Sequence, residues 1–418
     1  MRFNGKEALF AAVSILLFVF ILEVVLNILA ATSPRIDSLL TPPWDPYRVA
    51  ATVPDDRLGH RLNPKYPGHD SKGFNNSAVP DKAKIVVIGD SQTYPTNIEA
   101  DQAWPRRLES LTRETVYSLA VPGYGPVHSL ILWPEAVALH PEIAIEAFYA
   151  GNDLYDSFDI VYNRGQFLEL KTRDAKLQAR VREAEELESI AKRVAKMFLM
   201  GGEMDAPPKK EPPLSPRMSP SVLGFLSQHS KIYGLFRRVR YELPRIIPNN
   251  RWERAKRFAN AHPDYCQIFS TDQFKTVFTS EYRLAALNLE DPRIAEGQQI
   301  SLRALGRMNE LAADGGIRFM VALIPTKELV FKELWKAPSG SFRTVTENED
   351  HFWKTAKHFF EENGVEYVDV LPALRSLLAE GIQPYPVSHD GHPNAHAHLA
   401  IAKAIHAQIQ RSNGLSGK

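Results

Sequence analysis

The chain has 418 residues, and its 50 Lys and Arg against 49 Asp and Glu give a formal net charge of +1. This length suits one large domain with insertions or two modest domains. The charge balance argues against a nucleic-acid partner, because no Lys/Arg cluster resembles a binding stripe. The single cysteine, Cys266, excludes an intrachain disulfide and a cysteine-based zinc site, but it does not decide the cellular compartment.

The amino-terminal stretch from Ala8 to Ala31 is almost wholly apolar and long enough to cross a bilayer as a helix. Arg2 and Lys6 precede it, so the positive-inside rule keeps the amino terminus in the cytoplasm and exports the bulk of the chain. A cleaved signal peptide is the alternative, because the stretch ends in small residues. The length favours an uncleaved anchor over residues 1–31, which predicts a single-pass inner-membrane protein with the bulk of the chain in the periplasm.

Glu23 lies inside this apolar stretch, where a charge costs a few kcal/mol unless it is paired or protonated. One interpretation places it near the membrane interface with no role. The other pairs it with a partner membrane protein.

Residues 32–81 are rich in Pro, Asp, Asn and Gly with little periodicity, which predicts a tether and an irregular lead-in. A short β-branched run from Lys84 to Ile88 then stops at Gly89-Asp90-Ser91, as a buried strand entering a tight turn does. A helix beginning after Ser91 would leave free backbone N–H groups beside its hydroxyl. Four further strand candidates follow: Val116–Val121, Ile143–Tyr149, Ile317–Ile324 and Glu366–Val370.

Helical patterns separate these strands, at Gln102–Thr112, Val127–Leu139, Arg293–Asp314, Glu347–Asn363 and Ala395–Arg411. The alternation predicts a parallel sheet with helices on both faces, whose functional groups gather at the carboxyl ends of the strands. Residues 82–418 therefore form the predicted catalytic domain. A highly charged, mainly helical insertion over residues 155–290 interrupts it, as a cap or partner surface with solvated charges.

Four blocks of residues follow strand ends or precede the last helix. They are Gly89-Asp90-Ser91, the glycine-rich loop Val121–Pro126, Gly151-Asn152-Asp153, and His389-Asp390-Gly391-His392-Pro393-Asn394. A hydrolytic serine needs a base, an acid that orients the base, and donors for the oxyanion. In these blocks Ser91 is the candidate serine, His392 the base and Asp390 the acid. The N–H groups of Ser91 and Gly123 and the side-chain amide of Asn152 are the candidate oxyanion donors.

With these blocks in this order, the chain resembles the SGNH (GDSL-like) hydrolase superfamily over about Lys84–Asp156 and Gly315–Gln410. The resemblance implies a flavodoxin-like three-layer sandwich with a central five-stranded parallel sheet, and acyl-ester hydrolysis or transfer. It implies Ser91 as nucleophile, His392 as base oriented by Asp390, and an oxyanion hole completed by Gly123 and Asn152.

One spacing departs from many members of that superfamily, because Asp390 precedes His392 by two residues instead of three. The branch that resembles alginate O-acetyltransferases uses the shorter spacing. The anchor, the Ile324–Glu328 segment and the insertion also resemble bacterial polysaccharide-modifying members.

Each block also has a purely structural interpretation, as a helix cap, a turn or the lead into the last helix. The histidines His389, His392, His396 and His398 raise a metal site as an alternative, but a zinc site would want a further carboxylate or thiolate. No metal or cofactor is therefore predicted. The candidate substrate contacts are Lys327, Asp153 and Tyr124, with a plain surface lysine as the alternative for Lys327.

The prediction is a membrane-anchored serine esterase or O-acyltransferase that acts on acyl esters of a polysaccharide, with acetyl as the expected acyl group. A membrane acyl-transfer protein is the candidate partner. The rival from another class is a non-catalytic, membrane-tethered subunit that binds glycan or scaffolds an acylation or secretion complex. A peptidase or thioesterase that uses the same serine is a third hypothesis.

Overall fold

The computed structural model describes residues 5–40, 50–194, 226, 229–246, 248–336, 338 and 340–415. The chain divides into two compact units. The first comprises Met1–Val53, Lys65–Pro67 and Lys210–Arg251, and the second comprises Pro54–Pro64, Gly68–Lys209 and Trp252–Lys418. The predicted Pro/Lys-rich break at residues 207–220 lies outside the described residues.

Strands and helices alternate along most of the described chain. The strands are β1 (Thr52–Asp55), β2 (Gly59–Leu62), β3 (Ile85–Ile88), β4 (Val116–Ser118), β5 (Ile143–Tyr149), β6 (Gln267–Ser270), β7 (Lys275–Phe278), β8 (Arg318–Ile324) and β9 (Glu366–Asp369). The described helices of the first half are α1 (Gly5–Thr32), α2 (Pro34–Leu40), α3 (Trp104–Thr112), α4 (Pro126–Val137), α5 (Asp153–Tyr162), α6 (Ala175–Leu187) and α7 (Lys231–Ile246). Those of the second half are α8 (Pro248–Ala261), α9 (Ser280–Leu287), α10 (Pro292–Asp314), α11 (Lys327–Phe331), α12 (Gly340–Glu362), α13 (Leu371–Ala379) and α14 (Ala395–Leu415).

The first unit contains the apolar helix α1. Among the described residues it is the one helix long and apolar enough to cross a membrane, over Phe10–Thr32, with a mean hydropathy of 2.7. The Glu23 carboxylate on this helix accepts hydrogen bonds from Ser230 Oγ at 2.9 Å and from the backbone N–H of Ile232 at 3.1 Å. Glu23 therefore satisfies the free N–H groups at the start of α7, so the chain itself supplies partners for this charge.

The second unit is built on a five-stranded sheet in the order β4-β3-β5-β8-β9, in which every neighbouring pair is parallel. All four residues of β3 and all seven of β5 are buried, as expected for strands covered on both faces. Register pairs Ile85 with Val116 on one side and with Ile143 on the other. The predicted five-stranded, flavodoxin-like sheet is confirmed.

Two apolar cores cover the two faces of this sheet. Val86 and Ile88 point into a core that includes Leu130 of α4, Ile300 of α10 and Phe352 of α12. Ile85 and Val87 point the other way, into a core that includes Leu108 of α3, Leu374 of α13 and Ile401 of α14. The alternation of strand side chains thus divides the helices into two layers around the sheet, which confirms the predicted sandwich.

The predicted lead-in contains more structure than its composition suggests. Leu58, Leu62 and Phe74 are buried in the first of these cores. Asn76 donates to the backbone carbonyl of Ser118 and accepts from the N–H of the same residue, both at 3.0 Å, so it extends the edge of β4. This stretch completes the sheet edge of the second unit, because side-chain amides can replace a missing strand partner.

The predicted helical insertion contains the helices α6 to α9, but it also contains an antiparallel hairpin of β6 and β7. Phe269, Phe274 and Phe278 of this hairpin are buried in the same core as Ile324 and Phe342. The hairpin therefore belongs to the body of the second unit, next to the carboxyl end of β8.

Candidate active site

The Ser91 turn, residues 89–97, leaves the carboxyl end of β3. A side chain at Gly89 would place its Cβ 2.9 Å from the Cβ of Ala147 on β5, so only glycine lets the turn pack this closely. The residues after Ser91 form successive turns, and α3 begins only at Trp104. The first helix after the serine thus lies where the sequence pattern Gln102–Thr112 predicts it, and in the turn the Asp90 side chain and carbonyl accept from the N–H groups of Gln92, Thr93 and Tyr94.

Asp90 is completely buried beside the serine. Its carboxylate accepts from the N–H of Gln92 at 2.8 Å, and the Ser91 hydroxyl lies 3.4 Å from it. Burial raises the pKa of Asp90 to about 6, against the smaller opposing effects of the Gln92 N–H and the His392 imidazole. A half-exposed serine therefore lies next to a carboxyl group that is ready to take up a proton near neutral pH.

The His392 loop, residues 386–394, precedes α14. His392 Nδ1 lies 2.6 Å from Asp390 Oδ1, and the backbone N–H of His392 donates to the same oxygen at 2.9 Å. Burial alone would raise the pKa of Asp390, but the charge and hydrogen bonds of His392, with the charge of Lys327, hold it below its usual range. The imidazole side chain is 25% exposed, so its other nitrogen is accessible to a ligand.

Contacts from distant segments hold this loop. The Thr276 hydroxyl of β7 donates to the carbonyl of Ser388 at 2.9 Å, and the Val277 N–H donates to the same carbonyl at 3.3 Å. Lys327 Nζ donates to the carbonyls of Ser388 at 3.1 Å and Asp390 at 3.0 Å. The backbone around the histidine is thus fixed by the hairpin and by the first residue of α11.

The Ser91 turn and the His392 loop meet at the carboxyl edge of the sheet. The Asn97 amide, six residues after the serine, donates to Asp390 Oδ2, and the His392 imidazole acts electrostatically on Asp90. Among the described residues no hydrogen bond joins Ser91 Oγ to His392. The geometry brings acid and base into contact and places the serine turn against them, and catalytic hydrogen bonds of this kind commonly tighten only when substrate binds.

Gly123, a predicted oxyanion donor, is exposed in the loop after β4. Within the described part of the chain, its N–H and that of Ser91 donate to no protein acceptor. The loop is braced from below, since His60 Nε2 lies 3.0 Å from the carbonyl of Pro122 and the Tyr124 hydroxyl donates to the carbonyl of His60. Two free N–H groups are what a developing oxyanion requires.

Asn152, the third predicted donor, follows β5 and precedes α5. One N–H of its amide donates to Asp156 Oδ2 at 2.6 Å, and the amide also interacts with Asp90 next to the serine. Asn152 is therefore near the serine, with one amide hydrogen committed to the first turn of α5. Burial raises the pKa of Asp156 well above its usual value, which favours a neutral carboxyl at that contact.

The three candidate substrate contacts are all buried, at 1% exposure or less. The Tyr124 ring stacks on the His128 ring, with 4.5 Å between the ring centroids, and Asp153 accepts from the Tyr149 N–H at 2.8 Å.

Lys327 is buried, so the alternative interpretation of Lys327 as a plain surface lysine is wrong. Its ammonium also donates to the Val277 carbonyl at 2.8 Å, and burial lowers its pKa to about 8. These contacts favour a positioning role for Lys327, and its direct contact with substrate stays a prediction.

The histidines that raised a metal alternative belong to different environments. The His398 Nδ1 accepts from the Trp104 N–H at 3.1 Å at the start of α3, and burial lowers its pKa to about 3. The His389 ring packs 5.7 Å from the Phe258 ring, and His396 is exposed. Within the described ranges no group of three or more His, Cys, Asp or Glu side chains is arranged to hold a metal ion.

A cavity of about 150 Å³ lies elsewhere, at the amino end of β4, where Asn76, Arg106 and Val116 line it. None of the predicted site residues contributes to its wall.

Sequence reasoning missed Asn97, His60 and Thr276. Asn97 has a left-handed backbone, with a φ of 62°, which Asn tolerates better than most residues, but its sequence context gives no signal of a distant contact. His60 and Thr276 lie in segments interpreted as a tether and a cap, so nothing in their sequence places them beneath the site.

No protein-family model matches the chain, and no protein with a curated description matches it either. Among solved structures, a GDSL-like lipase from Bacteroides thetaiotaomicron aligns with a TM-score of 0.33 and 9% identity, over 80% of this chain and 93% of the lipase. A catalytic mutant of an acetylxylan esterase from Geobacillus stearothermophilus aligns with a TM-score of 0.32 and 10% identity, over 79% of this chain and 95% of the esterase. Similarity at this level carries no argument about function, and a relationship to alginate O-acetyltransferases is not shown.

Proposed function

We propose that this chain is a membrane-anchored serine esterase or O-acyltransferase that acts on acyl esters of a polysaccharide. The observation that carries the proposal is the 2.6 Å contact between His392 Nδ1 and Asp390 Oδ1, on the loop that the Asn97 amide ties to the Ser91 turn. An imidazole engaged by a carboxylate through Nδ1 keeps Nε2 as the proton acceptor. The turn that the Asn97 amide joins to this loop carries Ser91, the proposed nucleophile.

In the proposed reaction the Ser91 hydroxyl leaves Asp90, donates its proton to His392 Nε2 and attacks the ester carbonyl. Asp390 holds the imidazole in the required tautomer and stabilises the imidazolium that forms. The N–H groups of Ser91 and Gly123 bind the oxyanion, and the Asn152 amide is the third donor. Collapse of the tetrahedral anion expels the alcohol, which takes the proton from His392, and leaves an acyl-serine.

The second half of the reaction decides between hydrolysis and transfer. His392 removes a proton from water or from a sugar hydroxyl, and that oxygen attacks the acyl-serine. Collapse of the second tetrahedral anion breaks the bond between the acyl group and Ser91 Oγ, which takes the proton back from His392. Water gives a free acid, whereas a sugar hydroxyl gives a new ester on the glycan. Both outcomes use the same residues, so the acceptor and not the triad determines the activity.

The apolar helix α1 supports the anchored location of the proposal, since Phe10–Thr32 is long enough to span a bilayer. The basic residues before it favour a cytoplasmic amino terminus and a periplasmic catalytic unit. A substrate outside the cytoplasm favours a cell-surface or secreted glycan over a soluble metabolite.

The proposal is tested by replacing the serine. We expect Ser91→Ala to lower the hydrolysis of p-nitrophenyl acetate by about 10⁴-fold or more and to abolish labelling by a fluorophosphonate, because the acyl-enzyme cannot form. Ser110→Ala is the matched control, since Ser110 is exposed on α3 and its hydroxyl bonds only to the Arg106 carbonyl at 3.0 Å. Retention of both signals by Ser91→Ala would refute the mechanism.

Intact-protein mass spectrometry separates the two activities. Incubation with an acetyl donor should add one acetyl group at Ser91, and an oligosaccharide acceptor should then gain that mass if the enzyme is a transferase. Loss of the acetyl group to water alone identifies an esterase. A panel of acetylated sugar, acyl-thioester and peptide substrates tests the thioesterase and peptidase alternatives. A Ser91→Ala variant that still supports glycan acylation in cells would favour the scaffold alternative.

A further inference from the structure

Arg283 on α9 is a buried charged side chain that the proposed mechanism does not use. Its side chain lies against Gly391, the residue between Asp390 and His392. A Cβ built at Gly391 would lie 2.4 Å from Arg283 Nη2 and 3.5 Å from its Cζ. Any side chain at position 391 would therefore displace the guanidinium, so this glycine leaves space for it.

The rings of two tyrosines flank the guanidinium. Its Cζ lies 5.5 Å from the Tyr149 ring centroid and 4.9 Å from that of Tyr282. Tyr149 is the last residue of β5 and packs against Gly151, because a Cβ there would lie 2.3 Å from the tyrosine ring. Arg283 thus lies between the His392 loop and the segment that carries Asn152.

The donors of this guanidinium are largely unused. Arg283 is 6% exposed, and its Nε is buried without a hydrogen-bond partner. No side-chain hydrogen bond or ion pair within 4.0 Å of it is found among the described residues. Its nearest counter-charge, Glu328, acts over a longer distance, and one oxygen of that carboxylate accepts from the Thr279 N–H at 3.3 Å.

A buried guanidinium without close partners is costly, because it has five N–H donors and keeps its charge at every physiological pH. Support for the His392 loop does not account for it. Lys327 and Thr276 already hold the carbonyls of that loop, and Arg283 donates to none of them. Glu328, itself 1% exposed and with one oxygen that has no hydrogen-bond partner among the described residues, compensates part of the charge but makes no hydrogen bond to the guanidinium.

We propose that Arg283 binds a carboxylate group of the substrate, next to the ester that Ser91 attacks, so that the enzyme prefers acidic, carboxylate-bearing glycans. This inference rests on the proposed function and names its substrate class. Stacking against aromatic rings fixes the plane of a guanidinium and leaves its edge for a ligand, and a planar carboxylate accepts two parallel N–H bonds from that edge. Gly391 and Tyr149 place Arg283 beside the loop that carries the base and beside the end of the strand that leads to Asn152.

A matched pair of small esters tests the preference. Phenyl acetate and 3-acetoxybenzoate differ by one carboxylate, and we expect the wild type to favour the charged ester in kcat/KM by about tenfold or more. Arg283→Gln should remove this preference by raising KM for 3-acetoxybenzoate about tenfold more than KM for phenyl acetate. Arg307→Gln is the control, since Arg307 is 54% exposed on α10. An unchanged preference in Arg283→Gln overturns the inference, and so does an equal loss on both esters.

A binding measurement keeps this test separate from the test of Ser91. By calorimetry on the Ser91→Ala protein, benzoate should bind with Arg283 present and lose most of its affinity in Ser91→Ala/Arg283→Gln. Benzamide, which is neutral, should bind to neither. If Arg283→Gln does not fold, the Ser91→Ala protein alone decides. The inference is overturned if that protein binds benzamide as tightly as benzoate, or if it binds inorganic phosphate but not benzoate. Catalysis can fail in this design while the carboxylate site is still established.

Discussion

The Ser91 turn and the His392 loop lie at the same edge of the sheet, but they are built in different ways. In the first, the carbonyl of Asp90 accepts from Thr93 N–H at 3.1 Å and from Tyr94 N–H at 3.0 Å, so the turn closes within a few residues. In the second, the loop backbone is held by Thr276, Val277 and Lys327, which come from other elements of the chain. The nucleophile is thus positioned locally and the base through tertiary contacts.

The same contrast appears in the two buried carboxylates. Burial raises the pKa of Asp90 to about 6 because it outweighs the opposing effects of the Gln92 N–H and the His392 imidazole. At Asp390 the charge and hydrogen bonds of His392, with the charge of Lys327, outweigh burial and hold the pKa below its usual range. Asp390 is therefore ionised whenever the imidazole can act as a base, while Asp90 changes its protonation state within the working range of most enzymes. The hydrogen bonds from the Thr93 and Tyr94 N–H groups to the Asp90 carbonyl do not involve this charge, whereas the Gln92 N–H donates to the carboxylate itself.

The strongest test of the comparison is to remove the tertiary support of the His392 loop. Lys327→Met should lower the free energy of unfolding by about 3 kcal/mol, because the carbonyls of Val277, Ser388 and Asp390 lose their shared buried donor. The loop should then move, and esterase activity should fall while Ser91 keeps its place. Urea denaturation and the rate of p-nitrophenyl acetate hydrolysis measure the two effects.

Lys332→Met is the matched control for this change. Lys332 pairs with Asp350 with a side chain that is 30% exposed, and surface ion pairs contribute at most about 1 kcal/mol. If Lys327→Met matched this control in both unfolding and activity, the loop would not depend on the buried ammonium and the comparison would fail.

Sequence predicts those elements whose pattern lies within a short stretch of the chain. Short β-branched runs such as those of β3 and β5 have a length and flanking breakers that mark buried strands, and their alternation with helical patterns gives the parallel sheet. Ser91, Asn152 and His392 can be proposed as site residues from sequence because each follows a strand end or precedes a helix. The order of parallel strands then places them at one edge.

The remaining site depends on pairings that no local pattern contains. The contact of Thr276 with Ser388 spans 112 residues, and that of Asn97 with Asp390 spans 293. From sequence, Lys327 could equally be a surface lysine at the start of a short helix. It is buried because the folded hairpin packs against it, and that contact has no local sequence signal. The composition of residues 32–81 predicts an irregular lead-in for the same reason. Asn76 bonds to the backbone of Ser118 as a strand partner would, although the sequence around it has no strand pattern.

A second test uses the opposite pKa shifts of the two carboxyl groups. The folded-state pKa of Asp90 is above its unfolded value near 3.8, so its contribution to stability is present below about pH 4 and is lost as pH rises through 6. Asp90→Asn should therefore gain on the order of 2 kcal/mol relative to wild type between pH 4 and pH 7. The folded-state pKa of Asp390 is lowered, so its contribution is present above about pH 4 and lost at lower pH.

Asp390→Asn should accordingly be less stable than wild type above pH 4, with a difference that shrinks as pH falls. Urea denaturation at several values between pH 3 and pH 8 gives the free energy of unfolding of all three proteins. The two variants should diverge from wild type in opposite directions as pH rises. Curves that run parallel to each other would show that the two environments do not differ as described.

The smallest expected effect concerns the contact that joins the two loops. Asn97→Gly removes the amide that donates to Asp390 and keeps the left-handed backbone, whose φ is 62°, without strain. The Ser91 turn closes through its own hydrogen bonds, so stability should change little. Activity should fall by about fivefold, which corresponds to one hydrogen bond of about 1 kcal/mol to a carboxylate.

Asn163→Gly is the control for that change, because Asn163 is also exposed and also donates to a carboxylate, Asp159 Oδ1, at 2.8 Å. Its activity should equal that of wild type in the p-nitrophenyl acetate assay. Combined with Lys327→Met, Asn97→Gly should cost less than it does alone, since a loop already displaced no longer benefits from the amide. Strictly additive losses would mean that the amide and the ammonium act on separate parts of the site, and that the His392 loop is not positioned as one unit.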